Sequence, residues 1–224
     1  MHAIAPDLFL LEFPHRILGT RIGRRVTVIR LRSGELVIHS TAPFSPEDLR
    51  AIESLGRPAW IVEATRFHDT FARVGRAAFP EARYLAPQGP RDLAGIASDP
   101  ILPAPPEWSD EIAVLELQGI PGLREHLFLH RPSRTLIVAD LVFNFGPSST
   151  AWTRWFFRWV SGIRRSPGMS RIFLAQIRDR NAFRESARRI LEWDFDRLIP
   201  AHGDVIESGA KPLLERALAD AGCL

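Results

Sequence analysis

Cysteine is almost missing from these 224 residues: the single one, Cys223, sits beside the C-terminus. An internal disulfide is thereby excluded, and with it every zinc motif built on cysteine. No run of about 18 apolar residues occurs, so a membrane span is not expected. The opening "MHAIAPDLFLLEFPHR" lacks a basic start, an uninterrupted apolar stretch and a small-residue cleavage site. It reads as no secretory signal, and a cytoplasmic setting is the expectation. There is no Gly-rich phosphate loop, and Ser40 and Thr41 lack the glycines of a nucleophile elbow. Charge of one sign is not in excess either. The net charge is +3 and the high pI comes from arginine, with basic clusters at "RIGRR" (21–25) and "WTRWFFRWVSGIRR" (152–165). So mild a balance implies no nucleic-acid partner.

What is present is an ordinary globular composition, 46% apolar and 25% charged, on a chain long enough to bury a sizeable core. Apolar alternation at Val26, Val28 and Leu31, a Ser33–Gly34 turn and the returning Leu36–Val37–Ile38 predict a hairpin. "SPEDLRAIESLG" (45–56) predicts a helix with Ser45 as N-cap, Pro46 in its first turn and Gly56 past its end. A strand follows at Trp60–Ala64, then a helical segment near 70–78 and a short strand in "ARYLAP" (82–87). The Pro-rich "DPILPAPPEW" (99–108) is read as a loop within a single domain spanning 1–224, since strand-like segments continue on both sides. Strands are expected in "EIAVLELQG" (111–119), "EHLFLH" (125–130), "RTLIVAD" (134–140) and "RLIPAHG". Helices are expected over 151–165, about 181–193 and in the closing "SGAKPLLERALADAG". This alternation predicts an α/β protein with helices covering stacked sheets.

Three apolar strands end in a side chain that can ligate a metal: His68 after "WIVEA", Asp140 after "TLIVA" and His202 after "LIPA". In layered α/β folds ligands gather at strand ends, where the strand fixes a side chain and the loop leaves room for substrate. Two imidazoles and a carboxylate suit Zn, Fe or Mn. Taken singly, each residue also reads as an ordinary hydrogen-bonded loop residue or turn-former. His39, at the end of "ELVIH", is a candidate to line the same pocket. His130, Arg131, Ser133 and Arg134 read as a structural turn, and His2 and His15 carry no signal. The segment 151–165 gathers Trp152, Trp155, Phe156, Trp159, Val160 and Ile163 on one helical face. That face reads first as core-directed, next as a hydrophobic cover for the pocket, and third as an interfacial membrane helix.

The order of a His-bearing loop, a strand-end Asp and "PAHG" resembles the metallo-β-lactamase-fold hydrolases. The blocks "EHLFLHRPSRTLIVADLVFNF" (125–145) and "WDFDRLIPAHGDVI" (193–206), with "FPEARYLAP" (79–87), are similar more specifically to a family of that fold known as a domain of unknown function. The resemblance implies a four-layer αββα sandwich and a metal-dependent hydrolase acting on a small ester, lactone, thioester or phosphoester. It implies that His68 is the second histidine of the His-x-His-x-Asp-His loop, Asp140 the bridging aspartate and His202 the final histidine. Asp140 and His68 would then be catalytic, and all three would be metal ligands. The remaining ligand positions are replaced: Arg66, Thr70 and Phe71 stand in the loop, and Pro121 near the histidine that precedes the aspartate. A reduced, mononuclear site is therefore expected, with Asp69, Glu125 or His126 able to complete it. The competing expectation is a metal-free binding protein on the same fold. The partner expected is a small molecule; oligomeric state is not legible.

Overall fold

The computed structural model describes residues 1–90 and 92–224. Its elements in chain order are β1 (His2–Ala5), β2 (Leu8–Phe13), β3 (Arg16–Ile17), β4 (Thr20–Arg21), β5 (Arg24–Arg30), β6 (Glu35–His39), α1 (Pro46–Glu53), β7 (Arg57–Val62), α2 (Ala72–Ala78) and β8 (Arg83–Leu85). The second half supplies β9 (Ile112–Glu116), β10 (His126–His130), β11 (Thr135–Val138), α3 (Ala151–Trp159), α4 (Arg171–Leu174), α5 (Arg180–Leu191), β12 (Arg197–Pro200) and α6 (Ala210–Asp220). One sheet runs β1-β2-β5-β6-β7-β8 and the other β12-β11-β10-β9, while β3 and β4 form a small separate hairpin.

The period-2 alternation of strands divides the apolar residues among three cores. Trp60, Val62, Val37, Phe128, Ile137 and Ile199 meet between the two sheets. Their immediate neighbours Ile61 and Ile38 point outward beneath α1 and α2. Leu127, Leu129, Leu136, Val138 and Leu198 point outward beneath α5 and α6. Two sheets with helices on both outer faces make the expected αββα sandwich. Trp108 of the Pro-rich loop is fully buried between the sheets, against Trp60 and Phe128; that loop closes a core.

Local chemistry explains the element ends. Ser45 caps α1, its hydroxyl accepting from the Asp48 N–H while the Asp48 carboxylate accepts from the Ser45 N–H, a reciprocal capping box. Gly56 follows because a Cβ there would lie 2.1 Å from the Gly34 carbonyl oxygen. The strand expected at 60–64 instead runs Arg57–Val62; the Glu63 N–H still donates to the Leu85 carbonyl, while its side chain joins a buried ion pair with Arg24.

The longest departure is the helix expected over 151–165. It ends at Trp159, and Gly162 adopts φ +80° just beyond, turning the chain so that Ile163 packs beside Phe143, Phe145 and Phe157. The aromatic stripe does not face the core. Trp152, Trp155 and Trp159 are 49%, 49% and 61% exposed, whereas Thr153 and Phe157 are the buried positions. The hydrophobic face is real; the expectation that the protein itself covers it is wrong. The short α4, capped by the Ser170 hydroxyl, is not evident from apolar spacing at all.

Candidate metal centre

The strand ends deliver the three candidate ligands to one place. His68 Nε2 lies 3.3 Å from Asp140 Oδ1, and His202 Nε2 lies 3.8 Å from the same oxygen. The ligand atoms of all three lie within 4.8 Å of one another, a cluster unique among the described residues. Two donors each about 2.1 Å from a shared ion are at most about 4.2 Å apart, so both spacings to Asp140 suit a single ion.

Each ligand is held by groups distant in sequence. Asp140 follows β11 in a turn whose three successive N–H groups, of Ala139, Asp140 and Leu141, donate to the carboxylate of the fully buried Glu125. Glu125 is thus a backbone clamp and not a further ligand, a correction to the expected role. Burial and the Asp140 charge push its carboxyl upward, against the pull of the three donors. His126 is no ligand either: its Nδ1 meets the Arg124 carbonyl at 3.0 Å and its Nε2 faces Glu116. Asp69 is exposed and stands outside the cluster.

His202 follows β12, and its Nδ1 lies 2.7 Å from the Gly23 carbonyl oxygen. A carbonyl only accepts, so Nδ1 carries the proton and Nε2 presents a lone pair toward Asp140. Phe143 stacks on the ring, 5.7 Å away and 7° from parallel. Burial pushes the His202 imidazole down to about 3; His68 adds to the shift, while Asp140 opposes it. For Asp140, burial alone would raise the carboxyl, but His68, His202 and Arg24 outweigh it and hold the group below its ordinary value. His68 Nε2 is buried and faces Asp140 Oδ1 without the alignment of a hydrogen bond. Two imidazole nitrogens and a carboxylate thus converge on one point, an arrangement that a cation would satisfy.

The loop that carries His68 is pinned from below. Arg24, 3% exposed, donates to the Thr41 carbonyl and approaches Glu63 at 3.3 Å, and the Thr41 hydroxyl donates to the other Glu63 oxygen. Arg25, next in β5, points to the other side of the site. It donates to the carbonyls of Pro200 and Gly203, at 2.7 and 2.8 Å, on either side of His202. "RIGRR" is therefore not a solvated basic patch at its last two positions; period-2 alternation sends one arginine to each flank of the centre.

At the replaced ligand positions, Arg66 binds the Pro87 carbonyl at 3.0 Å, Phe71 precedes α2 and packs edge-on against His15, and Pro121 is exposed. Thr70 lines the cavity. His39 is buried behind His68, edge-on to Phe128. His15, assigned no role from sequence, lines the cavity and stacks on His202 with ring centres 6.4 Å apart. No local pattern marks it; only the fold brings it within reach.

The centre lies at the base of a cavity of about 250 Å³ with a predominantly apolar wall, including Ile17, Leu18, Phe67, Leu123, Phe156 and Ile172. Solved structures of the same architecture cover nearly the whole chain. The DIM-1 metallo-β-lactamase exposed to ceftazidime superposes with a TM-score of 0.64 at 14% identity, over 99% of this chain and 95% of that one. The chain has the metallo-β-lactamase fold. A metallo-β-lactamase from Pontibacter korlensis gives 0.61 at 12% identity, over 99% and 97%. The FIM-1 metallo-β-lactamase from Pseudomonas aeruginosa in its mono-zinc form gives 0.60 at 12%, over 99% and 95%. No protein-family model matches the chain, and no curated protein matches it in sequence. Among the described residues no helix is long and apolar enough to cross a membrane.

Proposed function

We propose that this protein is a metal-dependent hydrolase with a mononuclear centre held by His68, Asp140 and His202. Its substrate would be a small ester, lactone, thioester or phosphoester bearing an apolar group. The observation that carries this reading is the pair of imidazole Nε2 atoms, the one on His202 with its tautomer set by Gly23, converging on a single carboxylate oxygen. The mono-zinc FIM-1 structure is a precedent for single-ion occupancy of this fold.

A divalent ion here would supply Lewis acidity toward a carbonyl or phosphoryl oxygen and toward water. The chain's own residues do the remaining work. Glu125 and Arg25 hold the two turns that present Asp140 and His202. The apolar wall binds the substrate's apolar portion and excludes bulk water, which strengthens every charge interaction at the base. His15, half-buried at the cavity wall, stands where a proton could be passed to a departing alcohol or thiol.

The decisive experiment is elemental analysis of protein purified without added metal, paired with thermal shift on adding Zn²⁺, Mn²⁺ or Fe²⁺. About one ion per chain and a rise in Tm are expected, because binding to the folded state stabilises it by mass action. Less than about 0.1 ion per chain with no shift in Tm would sink the metal reading and leave a metal-free binding protein on this fold.

A further inference from the structure

The exposed aromatic face of α3 is unexplained by the metal centre. Trp152, Trp155, Trp159 and Val160 are all about half exposed or more, and Trp152 stacks on Trp155 at 5.1 Å. The β3–β4 hairpin lies beside it: the Arg21 N–H donates to the Thr153 hydroxyl, and a Cβ on Gly19 would lie 3.5 Å from the Trp152 indole nitrogen. Leu18 at the hairpin tip is 75% exposed and Ile172 is 65% exposed. These last two also line the cavity over the metal centre. Exposed apolar side chains thus lie both on α3 and at the cavity mouth, with the hairpin between them, and a patch of this kind on a globular protein marks a binding face.

The charge around it is mostly positive, with Asp204 on Ser148 and Asp220 near Arg165 as the acids beside it. No acidic residue occurs between Asp140 and Asp179, whereas Arg154, Arg158, Arg164, Arg165 and Arg171 fall there and are all exposed. None occurs between Glu12 and Glu35 either, so the hairpin contributes Arg16 and Arg21 with no acid of its own. Arg164, Arg165 and Arg171 share an open groove of about 470 Å³ in which the acid present is Asp220, 3.9 Å from Arg165. Arg158 lies over the Trp159 ring at 5.4 Å.

We propose that this face docks on an anionic lipid bilayer, with the tryptophans at headgroup depth and the arginines on the lipid phosphates. Amphipathic tryptophan rings settle at the membrane–water interface, and guanidinium groups pair with phosphate in a bidentate fashion. A second copy of the chain is disfavoured as occupant, because a two-fold contact would bring this arginine-rich surface against itself. Docking stands apart from the metal reading. If that reading also holds, the cavity mouth opens at the bilayer surface, and the apolar portion of the substrate is a lipid chain.

Flotation of the full chain with phosphatidylcholine vesicles, alone or mixed with phosphatidylglycerol, tests this. Binding to the mixed vesicles alone, weakened by high salt and accompanied by a blue shift of tryptophan emission, is expected. The triple variant Trp152→Ser/Trp155→Ser/Trp159→Ser should fold normally, since these side chains are exposed, and lose binding at least about tenfold. Arg158→Glu/Arg164→Glu should lose it similarly. Asp140→Ala should float like the parent, which separates failure of this proposal from failure of the metal reading. The proposal is overturned by absence of flotation on the mixed vesicles at low salt, or by unchanged binding of the triple variant. A stable dimer in light scattering that the triple variant dissolves would also overturn it.

Discussion

The Nδ1–H of His202 donates to the carbonyl of Gly23, 179 positions away, across 2.7 Å. That bond decides which nitrogen of His202 can ligate. It ties the last strand of one sheet to the loop that begins β5 of the other, so the centre is formed only when the two halves of the sandwich dock. His202→Ala and Asp140→Ala should each lose bound metal, by at least about tenfold in affinity. Arg66→Ala should retain it, since the Arg66 guanidinium donates to the Pro87 carbonyl and a guanidinium is not a metal ligand. Elemental analysis of the three variants after dialysis checks this.

Arg25 holds the carbonyls on either side of His202. Arg25→Met keeps an unbranched apolar stem but removes both donors. A loss of about 10- to 100-fold in metal affinity is expected, as for other groups that orient a ligand, with a stability loss of roughly 1–3 kcal/mol from the orphaned carbonyls. Isothermal titration with Zn²⁺ alongside urea unfolding separates the two effects.

Glu125→Gln replaces one acceptor oxygen of the clamp with an amide that donates. At least one of the Ala139, Asp140 and Leu141 N–H groups then loses its acceptor in a buried turn. A destabilisation of about 1–3 kcal/mol is expected, together with weakened metal binding because Asp140 is no longer fixed. Wild-type affinity in this variant would show that the Asp140 turn holds itself.

Gly203 follows His202 with φ +87°, and a Cβ there would come within 2.2 Å of the Asn144 carbonyl oxygen. Gly203→Ala must both adopt an unfavourable backbone and push Asn144 away, at a cost of roughly 1–3 kcal/mol. Its Tm should fall and its metal content should drop, since the shifted turn carries His202. Ala201→Gly, on the other side of the histidine, should leave metal content unchanged.

Acid should destabilise the protein through buried histidines. Burial holds His130 down at about 4 and His39 at about 3, against an ordinary value near 6.5. Between those limits the unfolded chain binds protons that the folded chain does not, so stability is full above about pH 6.5 and falls as pH drops toward 4. Each group steepens the fall by up to about 1.4 kcal/mol per pH unit. His130 lies at the β10–β11 turn, bonded to Ser133, apart from the metal cluster. His130→Gln should flatten the acid limb measured by urea unfolding at pH 4.5 to 7; an unchanged slope would assign it elsewhere.

Much of the centre was legible in the chain itself. Val138, Ile199 and Val62 belong to short apolar strands, and strand chemistry is local, so the side chains just past their ends could be named as candidates. His68, Asp140 and His202 meet as the resemblance to this fold implied. The capping of α1 and the Ser33–Gly34 hairpin were equally local, resting on residues a few positions apart.

The rest depended on contacts between distant segments. Period-3.6 spacing on α3 marks an apolar face, but only packing decides whether anything covers it, and here Thr153 and Phe157 face inward while the tryptophans face solvent. Arg24 and Arg25 look like solvated charge in sequence; each is buried because a carboxylate or a pair of carbonyls arrives from elsewhere to receive it. Glu125 looks like a ligand until the β11 turn brings three N–H groups to it. The sequence by itself determined most strands from β5 onward and the three residues at strand ends, while β1 to β4 were not read from it and the sandwich came through the resemblance. The tertiary structure alone decided the tautomer of His202, the clamps around it and the open aromatic face, because hydrogen bonds and burial are properties of pairs and half of each pair is far along the chain.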